Sequence, residues 1–392
     1  MISEEEAREK VLGAISPLAV QQVPLSEALG RFSANNIAAK IPLPSFDNSG
    51  MDGYAVVASS TGKGARLRIV GEQPAEASRN LRVSSGEAVR IFTGAPIPTG
   101  ADAVVMQEET SRDGDYVVIH AQKVVPGEFV RRAGQDLATG QSILERGDRL
   151  TATRLALLAS QGLALVNIHQ SPRVAIITTG SEVVQPGSQL QTGEIFESNG
   201  VMLAALTRQC GAHVMMESHC RDDLVVLTHH LRNAAENDVV VISGGVSVGE
   251  RDLVQQALRD IGAEIDLWRV AVKPGKPFLF GTLNRCAIFG LPGNPVSSFV
   301  TFLIFVRPAL LQLMGAKDLQ MRSAIAWLSH EVNGDDTRPH YLRGKLAGAL
   351  FSVTGTQESH ALFGLARSDA LLRVAAGQKL SAGSEVEIFL LD

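Results

Sequence analysis

The spacing of apolar and polar positions changes several times along the chain. Near the start, Ala7, Val11, Leu12 and Ile15 recur at helical intervals behind Ser3, which predicts a capped helix over residues 3–15. A second short helix is expected from Ser26 to Asn35. The prolines and the Asn-Ser-Gly and Asp-Gly pairs of "IPLPSFDNSGMDGYAV" then break the pattern. From about 54 to 137 the apolar runs are short, β-branched and punctuated by glycine: "YAVVA", "ARLRIVG", "EAVRIFTG", "DAVVMQEE" and "DYVVIHA". These predict strands of a small β region. Helical spacing returns in "GDRLTATRLALLASQG", with Thr151 or Thr153 as candidate cap.

Between 173 and 315 the period alternates. Strands are predicted at "RVAIITTG", "HVMMESHC" and "DVVVISGG", and helices at "NGVMLAALTRQCGA", "DDLVVLTHHLRNAAEN" and "ERDLVQQALRDIGA". Such alternation predicts a parallel sheet covered on both faces, with ligands at the C-terminal strand ends. The last 75 or so residues return to short β segments, from "SAIAWLS" to "SEVEIFLL", expected to form a small barrel or sandwich. The fold class is therefore multidomain α/β plus β, with a doubly wound α/β centre. The expected division is a discontinuous helical region of 1–45 and 138–170, a β domain of 46–137, an α/β domain of 171–316 and a C-terminal β barrel of 317–392.

Composition adds limits. The 392 residues exceed one ordinary core, and 37 glycines suit a loop-rich α/β protein. A net charge of −5 offers no global attraction for nucleic acid or anionic membrane, so an anionic ligand needs a local cationic pocket. Cys210, Cys220 and Cys286 include no Cys-x-x-Cys pair, which predicts buried reduced thiols. "MISEEEAREK" lacks the apolar core of a signal peptide, and the apolar run at "FVTFLIFV" is expected to stop at Arg307-Pro308, short of the roughly 20 residues of a membrane helix. A cytoplasmic location is expected.

The candidate chemistry gathers in the strand-end loops. "TTGSE" supplies Thr179, Gly180, Ser181 and Glu182, and "SGGVSVGERD" supplies Gly244, Gly245, Ser247 and Asp252. Glycine lets the backbone approach a phosphate, and a helix N-terminus adds N–H donors. The same loops can equally be plain tight turns. Glu182, Asp222 and Asp252 fall on one predicted sheet edge, where carboxylates can hold a divalent ion against phosphate oxygens; helix capping is the alternative for Asp222 and Asp252. Lys273 and Lys276 bracket Pro274-Gly275 ahead of Pro277, a stiff turn carrying two cations. The nine histidines show no metal-ligand spacing, and neither a Walker A loop nor a Gly-x-Ser-x-Gly motif occurs.

Eight stretches, in order, resemble the molybdopterin molybdotransferases, the group of MoeA and the gephyrin C-terminal domain: "PSFDNSGMDGYAV", "IFTGAPIPTGADAVVMQE", "RRAGQD", "TTGSE", "CRDD", "SGGVSVGERD", "VKPGKPF" and "GLPGNPVSS". The resemblance covers essentially the whole chain. It implies an elongated four-domain subunit in a homodimer, with sites shared between the α/β domain of one subunit and the β region of the other. It implies insertion of molybdate into adenylylated molybdopterin with Mg²⁺ and release of AMP, giving molybdenum cofactor. Molybdopterin adenylyltransferase and downstream molybdoenzyme maturation proteins are the implied partners.

By that resemblance, molybdate lies near Lys273, Lys276, Ser297, Arg343 and Ser359. Thr93, Asp136, Glu182, Asp222 and Asp252 belong to the pterin-nucleotide and Mg²⁺ site, and Asp52 comes from across the dimer. Pro277, Pro292, Gly293, Asn294 and the loops of Thr179 and Ser247 complete the substrate contacts. Arg269 and Glu358 depart from the family pattern. Two other readings are a related α/β nucleotide enzyme, such as a molybdopterin adenylyltransferase or a CinA-type pyrophosphatase, and a non-catalytic scaffold. The first is disfavoured by "SGGVSVG" in place of a Thr-Thr-Gly-Gly-Thr-Gly loop, the second by the lack of a long linker or fused enzyme.

Overall fold

The computed structural model describes residues 1–76, 79–246 and 253–391. They form two compact units: Met1–Asn35, Arg146–Leu155 and Ala164–Asp392 in one, Asn36–Glu145 and Ala156–Leu163 in the other.

The first unit is centred on a six-stranded sheet. Its strands are β1 (Arg173–Thr179), β2 (His213–Cys220), β3 (Val239–Ser243), β4 (Glu264–Arg269), β5 (Pro277–Leu283) and β6 (Cys286–Leu291), in the order β2-β1-β3-β6-β5-β4. The first four in that order are parallel. Their continuous apolar runs follow from burial on both faces. Val174, Ile176, Val239 and Val241 pack into one core with Leu203 and Phe305, while Ala175, Ile177, Val240 and Ile242 pack into the other with Leu227 and Leu258. The helices Asn199–Gln209 and Leu224–Ala234 thus cover opposite faces.

The sheet is not wholly parallel, contrary to the alternation pattern. β5 runs antiparallel to both β4 and β6. The cause is loop length. Asn284-Arg285 alone joins β5 to β6, with Asn284 at φ 55°, whereas a parallel crossover needs a dozen or more residues.

Two helix expectations change. Ser3 does cap Glu4–Gly13, accepting a 3.0 Å hydrogen bond from the Glu6 amide. The helix expected over Ser26–Asn35 is only a 3₁₀ turn at Leu25–Glu27. Beyond it the Gly30, Ser33 and Ala34 amides bond to the carbonyls of Leu150, Asp148 and Asn167, so long-range partners replace the helical ladder. Arg307-Pro308 also fails to end the apolar run at "FVTFLIFV". The helix continues as Pro295–Leu313, 19 residues long, by passing through a π-helical turn at Phe302–Val306. That helix has the length and apolar composition to cross a membrane, yet 83% of its apolar window is buried inside the molecule.

The C-terminal strands close into a five-stranded barrel: Ser323–Leu328, His340–Ala347, Leu350–Val353, Ala370–Val374 and Glu385–Leu390. Leu328, Leu342, Phe351, Leu372 and Ile388 fill it.

The second unit carries a six-stranded sheet of Ala103–Met106, Gly53–Val56, Glu87–Ile91, Arg66–Gln73, Tyr116–Ile119 and Thr110–Asp113, in that spatial order. The short β-branched runs give its strands, and Val56, Leu67, Val105 and Val117 form part of its core. Nearby, Asn48–Ser49 pairs with Val130–Arg131, which sets the "FDNSGMDG" loop beside the "RRAGQD" loop.

Candidate functional site

The C-terminal ends of β1, β2, β3 and β6 open into a cavity of about 1220 Å³. Thr179, Gly180, Glu182, Asp222, Gly244, Gly245, Pro277, Pro292, Gly293 and Asn294, all expected site residues, line it. Asp222 holds two strand ends together. Its Oδ1 accepts from Thr179 Oγ1 at 2.8 Å and its Oδ2 from the Ser181 amide at 3.3 Å, while its own amide donates to Ser181 Oγ at 3.2 Å. Helix capping falls instead to Asp223, which accepts from the Val226 amide at 2.9 Å. Asp222 is therefore not the cap of the following helix.

The glycines keep the backbone bare at the cavity wall. Gly244 has φ +94°, and a Cβ there would run into the Thr179 carbonyl oxygen. Gly245 has φ +65°, and a Cβ would come within 2.6 Å of Val254 Cγ2. Any larger residue at either position would need both a strained backbone and a shift of β1 or the facing helix.

Glu182 is exposed on the same cavity. It and Asp222 supply the one or two carboxylates with which Mg²⁺ is commonly held beside a phosphate. Among the described residues no group of three His, Cys, Asp or Glu side chains stands ready as a metal site, so substrate oxygens would have to complete the coordination. Ser247 and Asp252 lie outside the described residues.

The sequence reading missed Asn199, the partner of Ser243 from the "SGGVSVGERD" loop. Asn199 Nδ2 donates to Ser243 Oγ at 2.9 Å and to the Gly293 carbonyl at 2.7 Å. Its Oδ1 is buried without a hydrogen-bond partner and belongs to a residue lining the cavity. A buried acceptor left unmatched is costly unless a ligand or water supplies a donor. The available signal was its place at the start of the helix that follows β1, opposite the glycine loop. Glu197, buried, braces that helix start by accepting from the Gly200 amide at 2.7 Å.

The lysine turn separates its two cations. Lys276 is exposed and has no side-chain partner among the described residues, and it directly precedes Pro277 at the cavity wall. Lys273 instead pairs with Asp335 at 3.2 Å. Its amide donates to the Pro339 carbonyl and its carbonyl accepts from the Tyr341 amide, so it is bridged to the barrel strand. Hydrogen bonds from Thr337, the amide first, hold the Asp335 carboxyl well below its usual range, with Lys273 and Arg338 adding to them. At Gly275, φ +125°, a Cβ would come within 2.6 Å of Thr301 Cγ2, so the turn packs directly on the long helix.

His340 sits against this cluster. Burial, then the charge of Lys273, lowers its pKa to about 4, with Arg338 and Arg343 acting in the same direction and Asp335 opposing. Its folded form stays neutral while the unfolded chain takes a proton below the ordinary value near 6.5. Stability from this residue is thus complete above that value and falls as the pH drops through it towards 4. The expected loss is on the order of 3 kcal/mol across that window. Denaturant titrations at stepped pH should show it, and His340→Gln should flatten the slope.

Arg343 is not at the cavity wall. It is 1% exposed, and its guanidinium donates to the carbonyls of Thr356 at 2.7 Å, Glu358 at 3.2 Å and Ala361 at 3.3 Å. Burial lowers its pKa. The loop it holds presents Ser359, whose Oγ accepts from Asn294 Nδ2 at 3.0 Å and whose carbonyl accepts from the Val296 amide at 3.1 Å. The same loop brings His360 to the cavity. Ser297 is buried in the first turn of the long helix.

In the second unit, Asp52 and Thr93 meet. Asp52 Oδ1 accepts from the Thr93 amide and from Thr93 Oγ1, each at 2.7 Å, and these bonds, the amide first, lower the Asp52 pKa. Asp136 is exposed on the adjoining loop, its amide bonded to the Leu43 carbonyl at 2.9 Å. The three cysteines are free; burial pushes Cys220 to about 11 and Cys286 to about 12, so neither is poised as a nucleophile.

Comparison with known proteins gives the context for these sites. Residues 2–162 match the MoeA N-terminal region (domain I and II), 175–312 a probable molybdopterin binding domain, and 326–391 the MoeA C-terminal region (domain IV). The chain is 35% identical to the molybdopterin molybdenumtransferase of Haemophilus influenzae, over 99% of this chain and 98% of that protein. It is 37% identical to molybdopterin molybdenumtransferase 2 of Mycobacterium tuberculosis, over 94% of each. The solved structure of a molybdopterin biosynthesis MoeA protein from Pyrococcus horikoshii superposes with a TM-score of 0.87 at 29% identity, covering 100% of both chains. A second structure from that organism gives 0.84 at 32% identity, covering 100% of this chain and 99% of that one. All three parts of the chain match in order, the relatives extend over almost its full length, and it belongs to the MoeA family of molybdopterin molybdenumtransferases.

Proposed function

We propose that this transferase inserts molybdate into adenylylated molybdopterin, cleaving the link to the nucleotide so that AMP leaves and molybdenum cofactor forms. The observation that carries this reading is the strand-end cavity. It combines bare glycine backbone at Gly244 and Gly245, two carboxylates at Glu182 and Asp222, and a cationic turn at its edge. A pyrophosphate-linked substrate needs the first two, and a dianion such as molybdate needs the third.

In this reading Lys276 grips molybdate, with Lys273 held in place by Asp335. Asn294, Ser297 and Ser359 line the molybdate approach, and Arg343 acts through the loop it holds. Thr179, Ser181, Ser247, Pro277, Pro292 and Gly293 contact the substrate. Mg²⁺ would be held by Glu182 and Asp222 together with Asp252, and would neutralise charge on the phosphates. The four-part domain division goes with this reading, as do a cytoplasmic location and exchange with an adenylyltransferase and molybdoenzyme maturation proteins.

Asp52, Thr93 and Asp136 would complete the site from the second subunit of a homodimer. Joined to Thr93 and ionised, Asp52 has a fixed acceptor to offer. AMP release is the direct assay: wild-type protein given adenylylated molybdopterin, Mg²⁺ and molybdate should release one AMP for each cofactor formed. Mixing Asp52→Ala chains with Lys276→Ala chains should recover part of the activity, because a mixed dimer keeps one intact site. Mixed dimers that form and stay inactive would rule out the shared site.

A further inference from the structure

The turn that carries Lys273 and Lys276 joins β4 to β5, and two distant parts of the chain hold it. On one side is the segment just before the first helix. The Ile2 amide donates to the Arg269 carbonyl at 3.0 Å, and the Ile2 carbonyl accepts from the Ala271 amide at 2.9 Å, so Ile2 bridges Val270 as a parallel partner. On the other side is the barrel strand His340–Ala347. Its Tyr341 amide donates to the Lys273 carbonyl at 2.8 Å, and Arg338 Nη1 donates to the Val272 carbonyl at 3.2 Å.

Glu4 ties these two holders to each other. It stands two residues after Ile2, in the first turn of the helix Glu4–Gly13, yet it is only 8% exposed. Its Oε1 accepts from the Tyr341 hydroxyl at 2.5 Å and its Oε2 from Arg373 Nε at 3.0 Å. Tyr341 and Arg373 are partners on neighbouring barrel strands, so one carboxylate spans both. Burial first, and then the charge of Glu4, raises the pKa of the Tyr341 hydroxyl well above its usual value, which keeps it a donor.

The helix dipole does not explain a buried acid here. Glu5 and Glu6 supply negative charge to the same turn from the exposed surface. Stability alone does not explain it either, because well-packed apolar side chains dock a helix at least as firmly as a buried ion pair does. What a carboxylate bonded through both oxygens adds is a fixed register between the helix start and the barrel strand. We infer that Glu4 is a positioning residue for the lysine turn: by locking the Ile2 segment to the Tyr341 strand it sets the spacing of the two holders, and with it the place of Lys276. This rests on the reading of Lys276 as the grip on molybdate.

Glu4→Gln is the first test. Arg373 keeps a looser partner in Glu5 at 3.5 Å, so the change does not strand its charge. In the AMP-release assay the half-saturating molybdate concentration should rise by roughly three- to tenfold, a fraction of one charge-assisted contact. The half-saturating concentration of adenylylated molybdopterin should stay as in the wild type. Tyr341→Phe keeps the Glu4–Arg373 pair and should act in the same direction. Leu231→Ala destabilises the other core of the sheet without touching the turn, and should leave the molybdate requirement unmoved. Hydrogen exchange on Glu4→Gln should show protection lost at the Ala271 and Tyr341 amides relative to those of β1. The inference fails if those two amides keep their protection, or if Leu231→Ala raises the molybdate requirement as much as Glu4→Gln does. It fails equally if Glu4→Gln leaves that requirement at wild type while Lys276→Ala raises it. Should Lys276→Ala itself leave the molybdate dependence unchanged, the molybdate reading falls, and exchange at Ala271 and Tyr341 still decides whether Glu4 sets the turn.

Discussion

An Arg343→Met chain is expected to lose up to about 3 kcal/mol of stability and to release the 356–361 loop. The side chain is fully enclosed, and its guanidinium satisfies three loop carbonyls at once. Methionine fills similar space but donates nothing, so the carbonyls of Thr356, Glu358 and Ala361 lose their donor. A fully buried carbonyl left unmatched costs about 1–3 kcal/mol; Thr356 and Glu358 are exposed and Ala361 half-buried, so water takes up part of the lost bonding and each falls at or below the lower end of that range. Hydrogen exchange should show lost protection at the Val296 amide, because its acceptor is the Ser359 carbonyl. Arg343→Lys should recover part of the stability, since one ammonium cannot span three carbonyls. If the methionine variant kept full stability and lost only molybdate response, the guanidinium would be gripping the anion itself.

Lys276→Ala should raise the molybdate concentration for half-maximal AMP release by roughly ten- to a hundred-fold, the loss of one charge-assisted contact of about 1.5–3 kcal/mol. Its side chain is exposed and unpaired among the described residues, so folding should be unaffected. That contrast with Lys273 is useful. Removing Lys273 also strips Asp335 of a partner and loosens a turn bridged to the barrel, so its phenotype mixes binding with structure. Lys276→Arg should not restore the wild-type response, because a planar fork does not occupy the place of a compact ammonium. An unchanged molybdate dependence with a large loss of nucleotide binding would move Lys276 to the pyrophosphate.

Much of the architecture could be read along the chain because local pattern and burial agree. The runs at 174–177 and 239–242 are apolar on every residue, as strands covered on both faces must be, and the helices between them have one apolar stripe. What escaped depended on partners far away in sequence. The segment after Leu25 looks helical in isolation but spends its amides on carbonyls more than a hundred residues distant. The antiparallel edge was legible in the two-residue Asn284-Arg285 loop and was overridden by the alternation around it. For the site, glycine loops and carboxylates announced themselves by type and place. Asn199 did not, because its Oδ1 becomes conspicuous only once burial leaves it without a donor. Arg343 could be placed near the site but not given its task, since only the folded loop shows which oxygens it serves.

The bridge between Lys273 and the barrel bears on how this protein can be recombined with its relatives. The barrel matches as a separate region, 326–391, and looks exchangeable as a cassette. Yet the Lys273 backbone is hydrogen-bonded to Pro339 and Tyr341, and its ammonium to Asp335, all within that cassette. A chimera whose donor barrel lacks an acid at position 335 would have a well-made sheet and a well-made barrel and still inherit a misplaced cation. The natural crossover point therefore lies upstream of the turn, so that 270–277 travels with the barrel that anchors it.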